Sequence, residues 1–133
     1  MDEAFDIATE FLTDAELESL GKHLDKYKEL HDRDVLQNNF LDFVKHVWPS
    51  FITGSHHKIF ADKLERVAKG ELKRLIVNMP PRHTKSEFAS YLFPAWVMGQ
   101  SPETKIIQAT HTAELAIGFG RKVKNLLDSE IYR

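Results

Sequence analysis

One junction constrains this chain more than any other. Leu75-Ile76-Val77-Asn78-Met79 is a short apolar run rich in β-branched residues, and it ends abruptly at Pro80-Pro81. Two prolines remove two backbone donors and fix φ, so the regular element before them cannot continue. From Lys85 to about Val97 the spacing becomes helical, with Gly99 just past the expected end. A second run, Lys105-Ile106-Ile107-Gln108-Ala109-Thr110, precedes Thr112-Ala113-Glu114, which opens a last helix reaching about Asp128. Short apolar runs bounded by turn signals read as strands buried on both faces. Strand, helix, strand, helix is one right-handed βαβ unit with a further helix. The expected fold class is therefore α/β: an incomplete parallel sheet with flanking helices, preceded by an α-helical N-terminal region.

The first third reads as helix. Thr13-Asp14-Ala15-Glu16 fits a capping box, and Leu17, Leu20, Leu24, Tyr27 and His31 follow at helical spacing. Asn39 to Val47 reads as a short aromatic-rich helix stopped by Pro49. After a loop carrying Gly54, Ser55 is placed to cap a helix from His56 to about Lys69. Its apolar side is Ile59, Phe60, Leu64, Val67 and Ala68, and Gly70 is its stop. The division expected is an acidic helical arm over residues 1–38 and a second domain over residues 39–133.

Composition narrows the classes. At 133 residues with 42% hydrophobic side chains the chain has the balance of a globular domain rather than of a disordered one. It has no cysteine, which removes disulfide scaffolds, thiolate metal sites and cysteine nucleophiles. No apolar run approaches the roughly 20 residues of a membrane helix. The acidic start Met1-Asp2-Glu3 does not read as a signal peptide. Net charge is −2, yet residues 1–34 carry −7 and residues 35–133 carry +5. A basic body points to a polyanionic partner, and solvated charged faces account for the same numbers equally well.

The chemistry concentrates in Met79-Pro80-Pro81-Arg82-His83-Thr84-Lys85-Ser86. The phosphate-binding pattern GxxxxGK[ST] has its lysine and hydroxyl residue in register here, with Met79 and Thr84 in place of its glycines. Consecutive N–H groups at a helix N-terminus hold phosphate, and the helix dipole adds to the attraction. The donors come late in such a loop, from His83, Thr84, Lys85 and Ser86, so the prolines cost no contact. Lys85 would reach the β- and γ-phosphates and Ser86 would ligate Mg²⁺. Arg82 adds a guanidinium that can grip a phosphate oxygen, or that simply sits solvated in a turn. The glycine normally found at position 84 takes positive φ, which a β-branched threonine adopts only under strain. An ordinary βα turn with an incidental Lys-Ser is the alternative reading.

Met79 to Glu87 resembles the Walker A segment of phage terminase large subunits, the motors that package DNA into capsids. His56-His57, Phe93-Pro94-Ala95-Trp96, Lys105-Ile106-Ile107, Glu114-Leu115-Ala116, Phe119 to Val123 and Asp128 to Tyr132 extend the similarity over roughly residues 40–133. The resemblance implies a P-loop NTPase (RecA-like) core that binds ATP and Mg²⁺. It casts Arg82, His83, Thr84, Lys85 and Ser86 as phosphate contacts, Arg82 as a finger or sensor in cis, and Ser86 as the magnesium ligand. It puts Trp48, His56 and His57 in the adenine region. The adjacent histidines also raise a metal site, but neighbouring helical residues splay about 100° apart and no third ligand is evident.

The implied partners are double-stranded DNA, the portal protein, the small terminase subunit and further copies in a ring, with no membrane. The implied location is the host cytoplasm, docked transiently at the procapsid portal. The Walker B carboxylates and the nuclease cluster of that family have no counterpart in these residues, so the expectation is an N-terminal portion of the motor. Gln108 to Ala116 also resembles a nucleic-acid-contacting motif of DEAD-box-type helicases, which keeps a helicase-like ATPase as an alternative. A binding module with an acidic docking helix and a degenerate loop is the third reading.

Overall fold

The computed structural model describes residues 12–132; the beginning of the acidic arm, Met1-Asp2-Glu3 included, and the last residue of the 39–133 domain lie outside them. Helix is the only regular secondary structure among the described residues, with no strand among them. The elements are α1 (Asp14–Asn38), α2 (Phe40–Val47), α3 (Ser55–Ala68), a π-helical turn (Glu87–Leu92) running into α4 (Phe93–Gln100), and α5 (Ala113–Leu127). Two compact units divide within α1, one ending at Asp34 and the other beginning at Val35.

In the first unit, α1 starts at the expected Thr13. The Glu16 carboxylate accepts from both the backbone N–H (2.8 Å) and the hydroxyl (2.7 Å) of Thr13, which holds this carboxyl below the usual glutamate range. The helix has no buried residue, and Leu17, Leu24, Tyr27 and Leu30 are exposed.

The second unit is organised by aromatic rings. Phe40 and Phe88 are fully buried and meet edge to face at 5.5 Å, with Phe60 stacked on Phe88 at 5.7 Å. Trp96 packs on Phe40 at 5.3 Å. Val44, Leu64, Leu92, Ala95, Val123 and Leu126 complete this core. Edge-to-face ring pairs contribute about 0.5–1.5 kcal/mol each beyond the area they bury. Helix ends are satisfied within the same unit. The Asn39 side chain caps α2 by accepting from the Asp42 N–H, and the Phe40 N–H donates to Glu65. The Trp96 indole and the Gln100 amide donate to the carbonyls of Leu36 and Gln37, which the end of α1 leaves open.

The expected α/β class, an incomplete P-loop NTPase (RecA-like) parallel sheet with flanking helices, is overturned, since no strand occurs among the described residues. Residues 74–80 and 104–110 lie outside any helix, and no backbone hydrogen bond joins them among the described residues. Leu75, Val77 and Met79 pack against the core while Ile76, between them, is 87% exposed and Ile107 is 94% exposed. An extended chain alternates its side chains, so helices lying on one side cover only every second residue. A parallel strand needs a hydrogen-bonded neighbour as well as cover on both faces, and these runs have cover on one face only.

Smaller expectations also shift. The N-cap of α3 is Gly54 rather than Ser55, and Ile59, placed on the apolar side of that helix, is 64% exposed. The helix expected to end before Gly99 runs on to Gln100 and includes a π-helical turn. In that turn the Phe93 N–H bonds back to Phe88, five residues away. Pro94 follows, and it has no N–H to offer the Ser90 carbonyl and a ring that crowds it. The wider turn makes room, and the Gln108 side-chain amide donates to Ser90 instead, at 3.1 Å.

Candidate functional site

The loop from Pro80 to Ser86 carries two non-glycine residues in the left-handed region, Arg82 at φ 64° and Thr84 at φ 57°. Such backbone costs of order 1–3 kcal/mol per residue and persists only where its surroundings enforce it. Helix begins immediately after Thr84, at Lys85, and the Phe88 N–H donates to the Thr84 carbonyl at 2.9 Å. Lys85 thus stands in the first turn, half-buried, with Ser86 exposed beside it. No carboxylate among the described residues pairs with Arg82 or Lys85. The loop therefore combines two cations that have no carboxylate partner among the described residues with the N–H groups that every helix start leaves open.

The wall behind the loop is made of rings. His57 is buried in the first turn of α3, 4.7 Å from the Phe51 ring and 5.4 Å from Phe88. The Gly54 N–H donates to its Nδ1 at 2.8 Å, the returning half of a capping box, while the His57 N–H donates to the Gly54 backbone carbonyl at 3.1 Å because glycine has no side chain to offer. Nδ1 is then an acceptor, so Nε2 carries the proton and donates to the Thr84 hydroxyl at 2.8 Å. That hydroxyl in turn donates to the His83 carbonyl at 2.7 Å. His83 donates through Nδ1 to the Pro81 carbonyl at 2.9 Å. Burial holds the His57 imidazole below the usual histidine range, and the charges that His56 and His83 would carry add to this. A second proton on Nδ1 would face the Gly54 N–H, donor against donor.

Of the residues named from sequence, the structure brings His56, His57, His83 and Thr84 together. The rings of His56 and His57 lie 3.8 Å apart and those of His56 and His83 5.8 Å apart. Trp48 stands further out: its ring packs on Phe51 at 5.3 Å and its indole donates to Ser50. Both nitrogens of His57 are engaged, and no group of three His, Asp or Glu side chains that could hold a metal ion occurs among the described residues. Sequence reasoning missed the left-handed Arg82 and the support of His57 for Thr84. A pairing across 27 residues has no local signal.

An open apolar groove of about 400 Å³ lies elsewhere, between Val67, Phe93, Pro94, Val97 and Ile106, and none of the sequence-derived site residues lines it. Among the described residues no helix is long and apolar enough to cross a membrane. No known family model, curated protein or solved structure matches the chain.

Proposed function

We propose that the Pro80–Ser86 loop binds the phosphates of a nucleotide, as the ATP-binding portion of a viral DNA-packaging motor of the terminase large-subunit kind. The observation that carries this reading is the backbone at position 84. A residue that ought to avoid the left-handed region adopts φ 57° immediately before a helix whose first residue is Lys85. That is the conformation for which the phosphate-binding pattern uses glycine.

In this reading the N–H groups of Thr84, Lys85 and Ser86 face the anion and Lys85 supplies a mobile positive charge. Arg82, exposed at the loop's crest, reaches an outer phosphate oxygen, and Ser86 offers its hydroxyl to Mg²⁺. MgATP, when bound, supplies the phosphoryl group whose hydrolysis drives movement of double-stranded DNA. The portal protein, the small subunit and further copies in a ring are the partners of that motor, at the procapsid portal in the host cytoplasm. The +5 charge of residues 35–133 suits a polyanionic partner.

Calorimetric titration of the chain with MgATP tests the reading. Binding that weakens about tenfold or more in Lys85→Ala is expected, the loss of one charge-assisted contact of about 1.5–3 kcal/mol. Absence of binding, or equal affinity in Lys85→Ala, overturns it. A second reading, an interaction module, is favoured by α1, whose Leu17, Leu24, Tyr27 and Leu30 lie exposed along a helix without one buried residue.

A further inference from the structure

The loop has threonine where the phosphate-binding pattern has glycine, and its backbone is left-handed there nonetheless. A side chain branched at Cβ does not hold that conformation unaided. We propose that His57 is a positioning residue: its Nε2–H, donated to the Thr84 hydroxyl, holds residue 84 left-handed and so replaces the missing glycine of the loop. The functional meaning of this rests on the nucleotide-binding reading; its structural content does not.

His57 is suited to the task because it is itself fixed. Its Nδ1 accepts from Gly54, and the Phe51 and Phe88 rings pack against the imidazole, Phe51 edge to face. The Thr84 hydroxyl accepts from His57 and donates to the His83 carbonyl, so both of its directional bonds are committed and its rotamer is set. The Thr84 carbonyl accepts from the Phe88 N–H, which ties the left-handed residue to the first turn of the helix carrying Lys85. Releasing the hydroxyl therefore disturbs the backbone donors of the loop, without His57 touching a ligand.

Protonation of Nδ1 leaves the Nε2–H donor in place but takes away the Gly54 anchor that fixes the ring, and so loosens the support of Thr84. The titratable groups facing His57 are His56 on its own helix and His83 on the loop, and both oppose a second proton. Since the folded protein disfavours the charged imidazole, the stabilisation is complete above the ordinary histidine value of about 6.5 and is lost as pH falls below it.

The test is a cycle of wild type, His57→Phe, Thr84→Gly and the double variant, read by hydrogen exchange at the Phe88 amide and by MgATP calorimetry. In the Thr84 background, His57→Phe is expected to speed Phe88 exchange and weaken MgATP binding, each about tenfold, which corresponds to about 1.4 kcal/mol. In the Thr84→Gly background both effects shrink to less than about twofold, because glycine needs no support. His57→Gln, which keeps a donor, recovers part of the loss. Lowering the pH from 7.5 to 5.5 weakens binding more in wild type than in Thr84→Gly, a comparison that cancels the titration of ATP itself. Should His57→Phe not fold, Thr84→Val is set beside Thr84→Gly: both lack the hydroxyl, and only the valine, which still needs support, is expected to speed Phe88 exchange and weaken binding. Equal effects in both backgrounds, or coupling in binding without coupling in exchange, overturn the proposal. Coupling in exchange with no MgATP binding by any variant upholds His57 as the support of Thr84 and overturns the nucleotide reading instead.

Discussion

The aromatic core and the two extended segments use similar apolar residues to opposite effect. Around Phe40 and Phe88 each helix satisfies its interior backbone, side chains such as Trp96 and Gln108 serve what is left open, and one covered face is enough to hold it. Residues 74–80 and 104–110 cannot satisfy their backbone internally, and the cover they receive leaves Ile76 and Ile107 almost wholly in solvent. Apolar character alone thus does not distinguish a structural residue from a spectator. What distinguishes them is whether the element completes its own hydrogen bonding before it packs.

That contrast is open to direct attack. Phe88→Ala should be the most damaging change, since the ring is fully buried and touches Phe40, Phe51, His57 and Phe60. A loss of about 3–5 kcal/mol in urea unfolding is expected. Gln108→Ala probes a place where an extended segment supplies a hydrogen bond to a helix. It leaves the half-buried Ser90 carbonyl without its donor, and about 1–2 kcal/mol should be lost. Ile107→Thr should change stability by less than about 0.5 kcal/mol in the same assay. A large loss there would mean that the 94% exposed side chain is covered in solution.

The helices were legible in the sequence because their signals are local. Asn39 and Thr112 are placed to accept from the N–H three residues on, and both do so in the structure. The Glu16 side chain reaches back to Thr13 in the same way. The extended runs misled because β-branched residues report a preference for extended backbone, not the presence of a neighbour to pair with. Leu75 to Met79 is extended enough to alternate its burial, yet it pairs with nothing among the described residues. At the candidate site, the Lys-Ser register and the demand for positive φ at residue 84 were both visible from the chain. The left-handed Arg82 and the π-helical turn were not, although Pro94 explains the turn in retrospect.

The turn between Glu87 and Leu92 also acts as a spacer of angle. Each residue in an α-helix advances its direction by about 100°, so one surplus residue offsets everything upstream by that amount relative to everything downstream. Lys85 and Trp96 owe their mutual bearing to this offset. Excising Ala89 would remove the surplus residue that accommodates Pro94, and the lysine would then swing to a different compass point while the tryptophan kept its seat. Length, at this spot in the chain, is read out as direction.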